Sequence, residues 1–158
     1  MSFPPSPGRP RIQEPTRTLL LVEDDRATQS FLMRGLRGLN GFRILLADHG
    51  QDALDLLLQE EVDVLVTDLQ MPVLDGYQLI GEVSARYPHI PIIVVTGTSP
   101  EEHAYLPFRL GAMSLFAKPP RLSALMEEIR TAVEKPKDAA IRGLSLASLL
   151  QLLSWERK

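Results

Sequence analysis

The chain of 158 residues has no cysteine, which removes disulfides, thiolate catalysis and cysteine-ligated metals together. No apolar run reaches the roughly 20 residues of a membrane span. The Pro-rich start lacks the basic and apolar regions of a signal peptide, so cytoplasmic residence with no membrane association is the expectation. Neither G-x-G-x-x-G nor G-x-x-x-x-G-K-[ST] occurs, so both standard phosphate cradles for nucleotides are missing. No internal repeat is visible.

What is present fits one globular domain with short extensions: 44% of residues are hydrophobic and 23% charged. The net charge of −3 is unevenly spread, since residues 18–134 hold nine basic against seventeen acidic groups while both ends are basic. Such a body is not a nucleic-acid surface. Residues 1–17 carry Pro4, Pro5, Pro7, Pro10 and Pro15 with little apolar periodicity, and read as a flexible leader.

From Thr18 short apolar runs alternate with helical patterns. The runs predict strands at Thr18–Glu23, Arg43–Ala47, Asp63–Thr67, Ile92–Thr96 and Ser114–Ala117. Between and after them the periodicity predicts helices at Arg26–Leu39, Gly50–Glu60, Gly76–Tyr87, Pro100–Leu110 and Arg121–Glu134. Strict alternation of this kind predicts a three-layer α/β fold, a doubly wound parallel sheet of (βα)5 type. Ser99 before Pro100 and Asp75 before Gly76 have the chemistry of helix N-caps, and Gly41 and Gly111 follow helical stretches as helix-ending glycines do. Pro107 inside the fourth helical pattern predicts a kink, or a short helix that restarts.

The chemistry gathers where strands end. In VTDLQMPVLDG, Val66 to Gly76, an apolar strand stops at Asp68 and a loop begins, which is where open α/β sheets put their sites. The first strand, LLLVEDD, delivers Glu23, Asp24 and Asp25 into the loop where a dinucleotide fold would carry glycines. In the flavodoxin-like strand order 2-1-3-4-5 the first and third strands are neighbours, so Glu23, Asp24 and Asp68 converge. Clustered carboxylates repel unless protonated or bridged by a cation, and hard oxygen ligands suit Mg²⁺. Solvated loop acids would be the plainer reading of EDD alone. The fourth strand, however, ends in Thr96 and the fifth in Lys118, adding a hydroxyl and an ammonium at the same rim. One cation, one ammonium and one hydroxyl would hold a dianion, and a phosphoryl group on Asp68 fits, since carboxylates act as nucleophiles towards phosphorus.

Residues 18–134 closely resemble the receiver domain of bacterial two-component response regulators, in order and spacing at the acidic pair, the aspartate loop, the strand-end threonine and the Lys-Pro. The resemblance implies a signalling switch, not a metabolic enzyme, that takes phosphate from a phosphohistidine on a sensor histidine kinase or a histidine phosphotransfer protein. It implies Asp68 as phosphoacceptor. Mg²⁺ would lie on Asp68, Asp24 and the backbone carbonyl of Gln70, with Glu23 acting through water. Thr96 would contact the phosphoryl group and Lys118 would pair with it, with Lys118-Pro119 a candidate cis peptide. The family's switch aromatic corresponds to Leu115, with Phe116 after it, so coupling of phosphorylation to output is expected to differ here. Small Gly97 and the side chain of Gln70 flank the phosphate site.

The resemblance further implies an output and homodimer face on the fourth helix, fifth strand and fifth helix. Residues 135–158 read as a linker and an amphipathic stretch, either a terminal helix docked on the body or the opening of a second domain. The tail GLSLASLLQLLSWERK resembles the first helix of the PATAN-like domains found after receivers, which points to protein interaction as output and to no DNA-binding domain in this chain. Two rivals stand beside the switch. A pseudo-receiver, a binding module independent of phosphorylation, is disfavoured by the five retained residues. A haloacid-dehalogenase-type hydrolase wants a second aspartate two residues after the nucleophile, where this chain has Gln70.

Overall fold

A computed structural model of the chain describes residues 17–97 and 105–134. The elements run β1 (Arg17–Val22), α1 (Arg26–Leu36), β2 (Phe42–Ala47), α2 (Gly50–Gln59), β3 (Val64–Thr67), α3 (Gly76–Arg86) and β4 (Ile92–Thr96). After residues 98–104 come α4 (Tyr105–Leu110), β5 (Ser114–Ala117) and α5 (Leu122–Glu134). The five strands form one parallel sheet in the order β2-β1-β3-β4-β5. This is the flavodoxin-like order expected above.

Parallel strands covered on both faces are apolar throughout, and here their side chains sort by alternation. Leu19 and Leu21 of β1, with Val64, Val66, Ile93 and Val95, join Leu32 and Leu36 of α1 and Leu125 and Ile129 of α5 in one core. Leu20 and Val22, with Leu65, Ile92, Val94 and Leu115, join Ala53 and Leu57 of α2, Leu79, Ile80 and Val83 of α3, and Phe108 of α4 in the other. A one-residue slip of any strand would exchange the two faces, so the register is firmly held. Each fully buried aliphatic side chain contributes about 1.5–3 kcal/mol, and Leu19, Leu20, Leu65, Ile92, Ile93, Leu125 and Ile129 are among those with no exposure at all. That reserve lets the sheet's carboxyl edge carry unbalanced charge.

The expected boundaries that fall on described residues hold within a few residues, and the expected start of the fourth helix at Pro100 lies outside them. β1 begins at Arg17, the last residue assigned to the leader, whose guanidinium pairs with Asp63 at 3.5 Å. α1 stops at Leu36 instead of Leu39, where Leu39 N–H turns back to the Leu36 carbonyl and Gly38 lowers helix propensity. Gly41 therefore opens the turn into β2, at φ 81°, and does not end the helix. Gly111, at φ 123°, does follow α4 directly. Pro107 occupies the third position of α4, and its carbonyl accepts from Gly111 and Ala112 N–H. The expected Ser99 cap, the leader up to residue 16 and the tail from residue 135 lie outside the described residues. No helix among the described residues is long and apolar enough to cross a membrane.

Candidate functional site

Three loops meet at the carboxyl edge of β1, β3 and β5. Glu23 follows β1 directly and is 1% exposed, while Asp24 beside it is exposed. Its neighbour Asp25 turns to cap α1, accepting from Thr28 N–H and Thr28 Oγ1 at 2.8 and 2.7 Å. Those bonds hold the Asp25 carboxyl below its ordinary range. The LLLVEDD run thus divides its labour: one acid is committed to the helix, and the other two remain at the rim.

Asp68 follows β3 and is buried, its N–H donating to the Val22 carbonyl at 3.1 Å. Its Oδ1 accepts from Leu69 N–H at 2.7 Å and its Oδ2 from Lys118 Nζ at 2.8 Å. Lys118 also reaches Glu23 Oε2 at 2.6 Å, so one ammonium bridges two carboxylates from neighbouring strands. One oxygen each of Glu23, Asp24 and Asp68 lie within 4.8 Å of one another. Among the described residues three carboxylates face one lysine, and this excess of negative, all-oxygen donors suits a hard divalent cation. The donor set fits Mg²⁺.

The electrostatics follow from burial. Burial pushes the Glu23 carboxyl up, and the hydrogen bonds from Lys118 and Asp25 N–H only partly offset it. For Lys118 burial alone would lower the ammonium's pKa. The hydrogen bonds and charges of Asp68 and Glu23 together outweigh it and raise the pKa above the ordinary 10.5. Lys118 therefore stays charged throughout the physiological range.

Thr96 ends β4 at 2% exposure, and its carbonyl accepts from Lys118 N–H at 2.9 Å, which ties the fourth strand's end to the fifth. The Lys118-Pro119 bond is cis. Gly97 leaves room beside this pair, since among the described residues an added β-carbon would meet only the Lys118 side chain, at 3.9 Å. Gln70 lies two residues past Asp68 in the exposed part of the β3–α3 loop. Leu115, at the expected switch position, is 4% exposed and belongs to the core beneath α3 and α4, while Phe116 is partly buried in the opposite core.

The β3–α3 loop is held closely. Asp75 caps α3 with Gln78 in a reciprocal capping box. A β-carbon on Gly76 would fall on the Asp68 carbonyl oxygen, and Gly76 N–H donates to the Leu69 carbonyl at 2.9 Å. Val73 sits at φ 70°, unusual for a β-branched residue, where Leu74 N–H closes a tight turn onto the Pro72 carbonyl at 2.9 Å.

Sequence reading missed two anchoring groups. Gln29 is 5% exposed on α1, and its Nε2 donates to the Glu23 carbonyl and to Asp48 Oδ1, both at 3.0 Å. The available signal was a glutamine in register with Leu32 and Leu36 on the helix's buried stripe. Asp63, ahead of β3, accepts from Thr18 N–H at 2.7 Å. A lone acid before an apolar run carries no comparable signal.

Fold and rim together define a class: a doubly wound α/β domain with an acidic pocket, a strand-end threonine and a lysine at the carboxyl edge of its sheet. Residues 19–130 match the family model of the response regulator receiver domain, and the chain belongs to that family. It is 36% identical over 109 residues to the response regulator protein FleR of Pseudomonas aeruginosa, an alignment covering 69% of this chain and 23% of FleR. With the response regulator MprA of Mycobacterium bovis it shares 34% identity over 124 residues, or 77% of this chain and 54% of MprA. The chain thus aligns with about a quarter to a half of the length of these relatives. Among solved structures it resembles the receiver domain of a Pseudomonas aeruginosa sensor histidine kinase, described with a magnesium ion coordinated in its active site cleft. That match has a TM-score of 0.69 at 27% identity, covering 75% of this chain and 98% of the other. A response regulator from Chloroflexus aurantiacus gives a TM-score of 0.70 at 28% identity, with the same two coverages.

Proposed function

We propose that this domain is a phosphorylation-dependent switch in two-component signalling, accepting a phosphoryl group on Asp68 from a histidine kinase or a histidine phosphotransfer protein. The observation that carries the reading is the Lys118 ammonium set between Asp68 and Glu23, 2.8 and 2.6 Å away, with Asp24 beside them. An Asp68 carboxylate oxygen forms the bond to phosphorus while the donor's phosphorus–nitrogen bond breaks. Loose transition states of this kind need little covalent help, so positioning and charge neutralisation do most of the work.

Glu23, Asp24, Asp68 and the Gln70 backbone carbonyl would hold Mg²⁺, with Glu23 acting through water. Such an ion would supply positive charge to neutralise the charge of the transferred group. Lys118 releases Glu23 or Asp68 to pair with the transferred group, and the Thr96 hydroxyl donates to it. Leu69 N–H fixes the plane of the Asp68 carboxylate before the donor arrives. Gly97 leaves space for donor and water.

The output is proposed to run through Thr96 and the α4–β5–α5 face, also the candidate homodimer surface. Leu115 offers no ring or hydroxyl to swing out from the core, so Thr96 and the packing of Phe116 would carry the change.

Incubation with Mg²⁺ and acetyl phosphate, read by intact mass, tests the assignment. Wild type gains one phosphoryl group and Asp68→Asn gains none. Equal labelling of both overturns it, and no labelling of wild type by any phosphodonor or kinase supports the pseudo-receiver instead.

A further inference from the structure

We propose that Gln29 is a positioning residue for Asp24 and thereby sets the Mg²⁺ affinity of the pocket, an inference that rests on the metal-dependent reading above. The Gln29 side chain is 5% exposed, and its amide nitrogen faces two groups that can only accept: the Glu23 backbone carbonyl and the Asp48 carboxylate, each at 3.0 Å. Two acceptors settle which end of the amide points inward, because the oxygen of Gln29 would be repelled by both. The two N–H bonds tie the end of β1 to the loop between β2 and α2. A backbone bond from Glu23 N–H to the Ala47 carbonyl at 3.1 Å runs between the same two chain segments.

The three acids of the pocket differ in how they are held. Glu23 accepts from Asp25 N–H at 3.1 Å and from Lys118, and Asp68 accepts from Leu69 N–H and Lys118. Asp24 is exposed, and its placement depends on the backbone that carries it. The Glu23 carbonyl belongs to the peptide that leads into Asp24, so the Gln29 bond fixes the plane from which Asp24 projects. Without a donor there, a buried carbonyl is left unsatisfied, and the peptide can relieve this by rotating towards water. That rotation moves Asp24 away from Glu23 and Asp68. Groups that orient a metal ligand without touching the metal commonly affect affinity by about 10–100-fold.

Magnesium titration of the full chain, by calorimetry or by amide chemical shifts, tests this without reference to phosphorylation. Gln29→Met, of similar length but without donors, is expected to weaken Mg²⁺ binding about tenfold. Gln29→Arg, which keeps N–H groups towards both acceptors, is expected to recover most of that loss. Asp48→Ala removes the other end of the clamp while leaving α1 unchanged, and serves if Gln29→Met folds poorly; a roughly threefold weakening is expected. A purely structural Gln29 would lower the unfolding midpoint and leave Mg²⁺ affinity in place. Affinities within twofold of wild type for folded Gln29→Met, or for Asp48→Ala where it stands in, overturn the inference. Asp24→Asn is the reference: strong weakening there with none at Gln29 defeats this inference alone. Wild-type Mg²⁺ binding by Asp24→Asn defeats the metal-dependent reading together with it.

Discussion

Asp63 and Asp68 stand five positions apart at opposite ends of β3, and the same side chain does different work at each. Asp63 accepts from Thr18 N–H at 2.7 Å and pairs with Arg17 at 3.5 Å, so an amide and a cation both meet this acid. Asp68 shares one lysine with Glu23 and has Asp24 nearby, so negative charge exceeds positive. A balanced acid holds a sheet edge closed. An unbalanced one, kept in place by the rest of the fold, is free energy stored for a ligand, because a cation or a transferred phosphoryl group changes the charge count.

The largest expected difference between the two lies in labelling. With Mg²⁺ and acetyl phosphate, Asp68→Asn loses all incorporation, whereas Asp63→Ala is labelled at the wild-type rate within about twofold, as its end of the strand contains no reacting group. Substantial loss in Asp63→Ala, at a temperature where it remains folded, would show that the two ends are not separable.

Lys118 sharpens the contrast through pH. Its folded-state pKa is raised, so its stabilising contribution is fully present below the ordinary 10.5 and is lost as pH rises through the higher folded value. Lys118→Met leaves Glu23 and Asp68 facing each other without a cation. Breaking a fully buried pair costs roughly 3–5 kcal/mol. About 2 kcal/mol is expected here at neutral pH, because the Lys118 side chain is 19% exposed and water screens part of the pair. In urea titrations the gap between wild type and Lys118→Met should hold to about pH 10 and narrow above it. A gap that widened with pH would contradict the bridging role.

How far these roles could be read in advance depends on what kind of contact defines them. The strand order and the meeting of Glu23, Asp24, Asp68, Thr96 and Lys118 at one rim were legible, because alternation of apolar runs fixes a parallel sheet and the residues sit at strand ends. The response regulator resemblance pointed the same way. Asp63 and Gln29 were not legible in that manner. Their partners are the backbone groups of Thr18 and Glu23, and any residue type supplies a backbone N–H or carbonyl, so no side-chain pattern announces the pairing. Leu115 was recognised as a departure, but its burial in the core beneath α3 and α4 needed the fold.

Asp63 also predicts a moderate stability effect at its own end. Asp63→Ala takes the side-chain acceptor from Thr18 N–H, a part-buried donor, and is expected to cost about 1–2 kcal/mol. Little of this belongs to Arg17, since surface ion pairs contribute about 0–1 kcal/mol. Arg17→Met should therefore shift the denaturation midpoint much less than Asp63→Ala. Equal shifts would move the weight from the amide bond to the ion pair.

The smallest effect has the opposite sign and is the most direct test of stored charge. Without Mg²⁺, Asp24 adds a third carboxylate to a pocket in which Lys118, the one cation there among the described residues, is already shared between Glu23 and Asp68. Asp24→Asn removes that repulsion while keeping the shape, and because Asp24 is exposed and screened, a gain of only about 0.5 kcal/mol is expected. Adding Mg²⁺ should reverse the ranking: wild type gains RT ln(1 + [Mg²⁺]/Kd), about 2.7 kcal/mol at 100 times Kd, and Asp24→Asn gains far less. Equal stability of the two proteins without the ion, followed by equal gains with it, would place Asp24 with Asp63, among acids that only hold the structure.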